Sequence, residues 1–122
     1  MQAGEQLVLA SDVLFETGSS VLSPEAVQAL GTLASSIRER QVTGTIQING
    51  YTDNTGSDAF DLELSRARAQ AVAQVLQGAL AGVPVRLQPQ GFGKANPVAD
   101  NGLPEGRAQN RRVTIVLPEP TG

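Results

Sequence analysis

The chain has 122 residues, 40% of them hydrophobic, enough for one domain with one core and too little for two. It has no cysteine, so disulfides and thiol chemistry are out, and no histidine, which removes the commonest transition-metal ligand and the usual general base near neutral pH. A net charge of −3 argues against nonspecific nucleic-acid binding, no apolar run approaches bilayer-crossing length, and the N-terminus lacks the basic and apolar segments of a signal peptide.

With three Phe, one Tyr and no Trp, the core must be aliphatic and alanine-rich, which suits helices lying on a sheet. Residues 1–6 are expected to be a tail, 7–117 the domain and 118–122 a second tail. Leu7 to Phe15 is apolar with a polar break at Ser11 and Asp12, consistent with one bent strand or two short ones. After a turn, Ser23-Pro24-Glu25 supplies an N-cap, a proline at the first helical position and an acid in the first turn. Val27, Leu30, Leu33, Ala34 and Ile37 continue that helix toward Arg38 and Arg40, cations placed to favour its C-terminus. Thr45 to Tyr51 alternates as a strand with Ile46, Ile48 and Gly50 on the buried side.

A second helix is expected from about Asp61 to Leu80, closed by Ala81-Gly82. Val83 to Gln90 reads as an edge strand, because Pro84 and Pro89 lack amide donors. Gly91 to Arg111 reads as a long loop with a short helix near Glu105 to Gln109. Arg112 to Leu117 is a last strand with Val113, Ile115 and Leu117 inward. The order implies an α/β (α+β) two-layer sandwich, βαβαββ, with both main helices on one face of a mixed four-stranded sheet, and the strand-helix-strand steps favour parallel neighbours.

Charges sit where core residues should be in the stretch Asn49 to Arg68. At 100° per residue, Leu64, Ala67, Ala71, Val72, Val75, Leu76 and Ala79 share a face, with Arg68 in the middle of it, while Arg66 points away with Gln70, Gln74 and Gln77. An arginine so placed must snorkel or meet an anion, and Asp53, Asp58 and Asp61 lie just upstream. On pattern alone, Asp53 and Arg68 fit a buried ion pair and a ligand site equally well. A calcium reading of the loop Asp53 to Asp58 fails for want of the glycine after the third ligand and of the distal glutamate. The acids Asp53, Asp58, Asp61 and Glu63 would suit a glycosidase pair, but that chemistry needs an extended sugar cleft, usually lined with aromatics.

Asn49-Gly50-Tyr51-Thr52-Asp53 with Gly56 resembles the G-[HY]-T-D-x-x-G of the OmpA-like domain, and Leu64-Ser65-x-x-Arg68-Ala69 resembles its L-S-x-x-R-A. Gly91-Phe92-Gly93, Pro97, Asp100-Asn101 and Glu105 to Val113 are similar to its long C-terminal pattern. The resemblance spans nearly the whole chain. It implies a noncatalytic module of the cell envelope, on the periplasmic or extracytoplasmic face, that binds peptidoglycan through the diaminopimelate of the stem peptide. Neither cofactor, metal, nucleic acid nor direct membrane insertion is expected; a docking or oligomerisation module with a vestigial pocket, and more distantly a wall-acting glycosidase, are the alternatives. The resemblance further implies that Asp53 pairs with the ligand's ammonium and that Arg68 forks onto its carboxylate, with Thr52, Thr55, Asp61, Arg111 and the amide of Gly18 around them.

The chain departs from the pattern in three places. Asp61 stands where the family usually has Asn, and its carboxylate would either strengthen the ammonium site or repel the ligand's carboxylate. Phe15-Glu16-Thr17-Gly18-Ser19 replaces F-x-F-[DN]-S, losing a side chain at its fourth position. Lys94 follows Gly93 where an acid is common and reads as a surface change. Arg112 reads as a solvated charge beside the last strand.

Overall fold

Ser23 and Ser57 each turn a side-chain oxygen onto the third amide beyond them, accepting from Ala26 N at 3.1 Å and from Phe60 N at 3.1 Å. These caps start the two long helices of the computed structural model, which describes residues 5–118. The elements are β1 (Gln6–Ala10), α1 (Ser11–Leu14), α2 (Pro24–Glu39), β2 (Gly44–Tyr51), α3 (Asp58–Ala79), β3 (Val85–Gly91), α4 (Pro104–Asn110) and β4 (Arg112–Val116). The far ends of the two expected tails lie outside the described residues. Gln6 already pairs with Val116, and Leu117 N donates to Glu5 O at 2.8 Å, so the sheet begins earlier than the expected boundary.

The sheet order is β1-β4-β2-β3, with β4 antiparallel to both neighbours and β2 parallel to β3. The step β2-α3-β3 joins parallel neighbours as expected; the step from β1 to β2 does not, because β4 lies between them. Pro89 sits on the outer strand β3, where a missing amide costs no ladder bond on the open side. One aliphatic core, including Leu30, Ile37, Val72 and Leu76 from α2 and α3, packs on Ile46, Ile48, Val113 and Ile115 of the sheet.

Three local differences have physical causes. The polar break Ser11–Asp12 is a single helical turn, because Ser11 N donates to Arg111 O at 3.0 Å and the chain leaves the sheet there. Helix α3 begins at Asp58, set by the Ser57 cap, which puts Asp58 and Asp61 in its first turn. Its buried line is Asp61, Ser65, Arg68, Ala69, Val72, Ala73 and Leu76, with Leu64, Ala67, Ala71, Val75 and Ala79 half-buried beside it, so the helix is rotated from the expected face.

Two glycines explain the rotation. Gly50 and Gly91 are paired across β2 and β3, and a Cβ added to them would lie 2.3 Å from Ser65 O and 2.4 Å from Arg66 N. The backbone of α3 therefore rests directly on the sheet at Ser65 and Arg66. Gly50→Ala is expected to lower stability by about 1–3 kcal/mol, since neither backbone can move aside cheaply. Gly31→Ala, in α2 with open space around the added methyl, should raise stability by about 0.5–1 kcal/mol. Urea unfolding of the two variants tests the contrast.

Candidate functional site

β2 leaves the sheet at Tyr51 into a loop tied down by Thr52, whose amide donates to Gly93 O at 2.7 Å. Asp53 follows, 6% exposed. Its Oδ1 accepts from the Thr55 amide at 2.9 Å and from the Thr55 hydroxyl, and its Oδ2 accepts from Arg111 Nη1 at 2.6 Å. Arg111 turns its other edge to Asp12, Nε and Nη2 each donating at 2.8 Å to one carboxylate oxygen. Helix α4 delivers Arg111 to this place. Asn110, fully buried, holds the preceding loop by accepting from the amides of Val98 and Ala99 and donating to Ala99 O and Asn101 Oδ1.

Arg68 is 4% exposed. It does not pair with Asp53, nor with Asp58 or Asp61. Its Nε donates to Ser19 O at 2.8 Å and its Nη2 to Glu16 O at 3.2 Å, with the guanidinium 4.9 Å above the ring of Phe15. The turn that offers these carbonyls contains Gly18 at φ +72. No acceptor among the described residues takes the hydrogens on Nη1. Arg66 is exposed, as its place on the helix implies.

Asp61 is 3% exposed, and its Oδ2 has no hydrogen-bond partner among the described residues. Lys94 Nζ lies 3.7 Å from it, while donating to Gly56 O at 3.1 Å and meeting Asp58 at 2.9 Å. Lys94 is thus a tie across the loop rather than a surface change. Gly56 is required twice over, by its φ of +89 and because a Cβ there would lie 2.9 Å from Asp61 Oδ1. Arg112 is buried, not solvated: its guanidinium stacks 3.8 Å over Tyr51 and donates to Asn110 O and Asn96 O.

All seven residues expected at the site, Gly18, Thr52, Asp53, Thr55, Asp61, Arg68 and Arg111, line one cavity of about 400 Å³. Asp12, Thr17, Gly56, Phe60 and Leu64 complete its wall and were not anticipated. The signal for Asp12 was there, an acid interrupting an otherwise apolar run. Ionisation divides the acids. The hydrogen bond from Arg111 holds Asp12 below the usual carboxylate range. Burial pushes Asp53 up, but the Thr55 and Arg111 hydrogen bonds outweigh it and its pKa is lowered. Burial raises Asp61, only partly offset by Lys94. Burial lowers Arg68 from its very high ordinary value, and the guanidinium stays charged. The cavity thus offers an open guanidinium to an occupant, with the unpartnered carboxylate oxygen of Asp61 buried in its wall.

The family model described as the OmpA family matches residues 14–111. A probable lipoprotein, YiaD, of Escherichia coli K12 is 38% identical over 120 residues, covering 95% of this chain and 53% of that protein. The peptidoglycan-binding protein ArfA of Mycobacterium tuberculosis H37Rv is 36% identical over 118 residues, covering 96% of this chain and 35% of that protein. The chain therefore spans about half the length of the first and about a third of the second. Among solved structures, the cell wall anchor of the T6SS from Pseudomonas aeruginosa superposes with a TM-score of 0.79 at 32% identity, covering 93% of this chain and 81% of that one. The peptidoglycan-associated lipoprotein from Burkholderia pseudomallei gives 0.71 at 26% identity, covering 90% and 88%.

The opposed shifts yield a stability prediction. Asp12 and Asp53, with lowered pKa values, stabilise the fold above the ordinary carboxylate pKa and lose that contribution as pH falls through their folded values. Asp61, with a raised value, does the reverse: folding is favoured while it is protonated and weakened as pH rises through its folded pKa. Asp61→Asn should therefore raise the Tm at pH 7 by about 3–5 °C, the effect of roughly 1 kcal/mol in a domain of this size. The gain should shrink toward pH 4 while the acid limb from Asp12 and Asp53 persists, as thermal melts across pH would record.

Proposed function

The chain belongs to the OmpA family, and on that footing we propose that it binds bacterial peptidoglycan noncovalently through the diaminopimelate of the stem peptide, anchoring its parent protein to the wall within the cell envelope. One observation carries the reading: Arg68, with its Nη1 hydrogens open, and the carboxylate residues Asp53 and Asp61 line the same cavity. A free amino-acid end presents one carboxylate and one ammonium on a single carbon, which is the complement of that arrangement. The carboxylate lies against the guanidinium and the turn at Gly18. The ammonium lies between Asp61 and Asp53. Asp53 acts mainly as an organiser, because its oxygens already accept from Thr55 and Arg111.

The names of the relatives support wall binding. The finer reading, diaminopimelate, rests on the charge pattern: lysine at the same place in the stem would bring an ammonium with no carboxylate beside it, leaving Arg68 unused. The module is noncatalytic in this reading, because every side chain of the cavity has a holding role and none a chemical step.

Calorimetric titration with stem peptides carrying diaminopimelate or lysine tests the assignment. Binding is expected with the first and at least tenfold weaker binding with the second. Arg68→Lys keeps the charge but loses the fork, and should weaken the diaminopimelate peptide by about 10- to 100-fold, a charge-assisted hydrogen bond being worth about 1.5–3 kcal/mol. Asp61→Asn should weaken it as well. Equal affinity for the two peptides would overturn the diaminopimelate assignment, and a wild-type chain that ignores purified sacculi would overturn wall binding.

A further inference from the structure

The four aromatic residues divide unevenly. Tyr51 and Phe92 stack on each other with centroids 5.3 Å apart, and Phe15 is buried beneath Arg68. Phe60 has no aromatic or cationic partner among the described residues and is 55% exposed, yet it lines the charged cavity. Lone exposed apolar side chains are ordinary on a protein surface. This one belongs to a row. Phe60, Leu64 and Arg68 follow one another at four-residue spacing along α3, and all three line the cavity.

We propose that Phe60 and Leu64 form an apolar track that takes the methylene chain behind the amino-acid end, making the site selective for the length of that chain. The proposal rests on the reading of Arg68 as the carboxylate anchor. The track has one open direction, because the carbonyls of Glu16 and Ser19 close the side of Arg68 they occupy. From Arg68 the cavity wall continues along the helix to Leu64 and then Phe60, about 5.4 Å per turn. From a ligand's carboxylate carbon past three methylenes to the far amino-acid carbon is five bonds, roughly 6 Å at about 1.2 Å per bond. A diaminopimelate chain of that length covers Leu64, one turn from Arg68, and its second amino-acid end points on toward Phe60, a further turn away on the same cavity wall, whereas a one-carbon side chain stops short of both.

The test uses the whole chain and free amino acids. Racemic alanine, norvaline and norleucine, and meso-diaminopimelate, are titrated against wild type and Phe60→Ala, with amide chemical shifts as the readout. In wild type each added methylene should tighten binding by about twofold to fourfold, part of the transfer free energy of a buried CH₂. In Phe60→Ala that gain should flatten, leaving meso-diaminopimelate about fivefold to tenfold weaker and alanine affected least. An equal loss for every ligand, or none for any, would overturn the track while leaving the amino-acid site standing. Failure of wild type to bind meso-diaminopimelate would overturn the site reading and the track with it. Since Phe60 is half exposed, its removal is expected to leave the Tm unchanged, which melting of the variant checks.

Discussion

The site depends on a backbone-to-backbone contact in which no side-chain charge takes part. Gly50 and Gly91, side by side in β2 and β3, let the main chain of Ser65 and Arg66 rest on the sheet. That contact fixes both the height and the rotation of α3, and the consequences run outward from it. Ser65 Oγ comes within 2.9 Å of the Gly93 amide and holds the loop after β3. Gly93 in turn accepts from Thr52, and Lys94 reaches across to Gly56 and Asp58. One close approach therefore sets the floor of the cavity, its loop wall and the position of Arg68 one turn further along the helix.

The charges around the cavity are neutralised unequally. Arg111 satisfies two carboxylates, Asp12 and Asp53, and is itself satisfied by them. Arg68 is held by two backbone carbonyls, which position it without cancelling its charge. Asp61 has only a lysine at the edge of ion-pair range. A buried guanidinium and a buried carboxylate left in this condition destabilise the empty fold, since desolvation is offset by neither a close counterion nor a full set of hydrogen bonds. Such costs gather where a structure is built to meet a partner.

Much of the architecture was legible in the sequence, because it follows from periods and caps. The Ser23-Pro24 start, the alternation through β2, the proline-marked edge strand and the burial of Arg68 against the exposure of Arg66 all follow from local chemistry. What was illegible depends on partners with no sequence mark. Backbone carbonyls hold Arg68, and any residue could have supplied them. Asp12 meets Arg111 only because β1 and β4 pair through Ala10 and Arg112. The rotation of α3 escaped a periodicity count because two glycines on other elements decide it. Arg112 looked like a surface charge because its partners, the Tyr51 ring and two carbonyls, carry no opposite charge to search for.

In the proposed reading, the unequal neutralisation also sets the direction in which a zwitterion would enter. At one end a cation lacks an anion, and at the other the acids outnumber their base, so the field inside the cavity opposes the dipole of an amino-acid end in one orientation only. Both uncancelled groups are nearly out of water, where salt screens little and the effective dielectric is low. Reversing the ligand would set carboxylate against Asp61 and ammonium against Arg68, two repulsions in place of two attractions. On that assignment a carboxylate at position 61 would strengthen the site's preference for orientation as much as its hold, and would do so by leaving the empty fold less stable than an amide there.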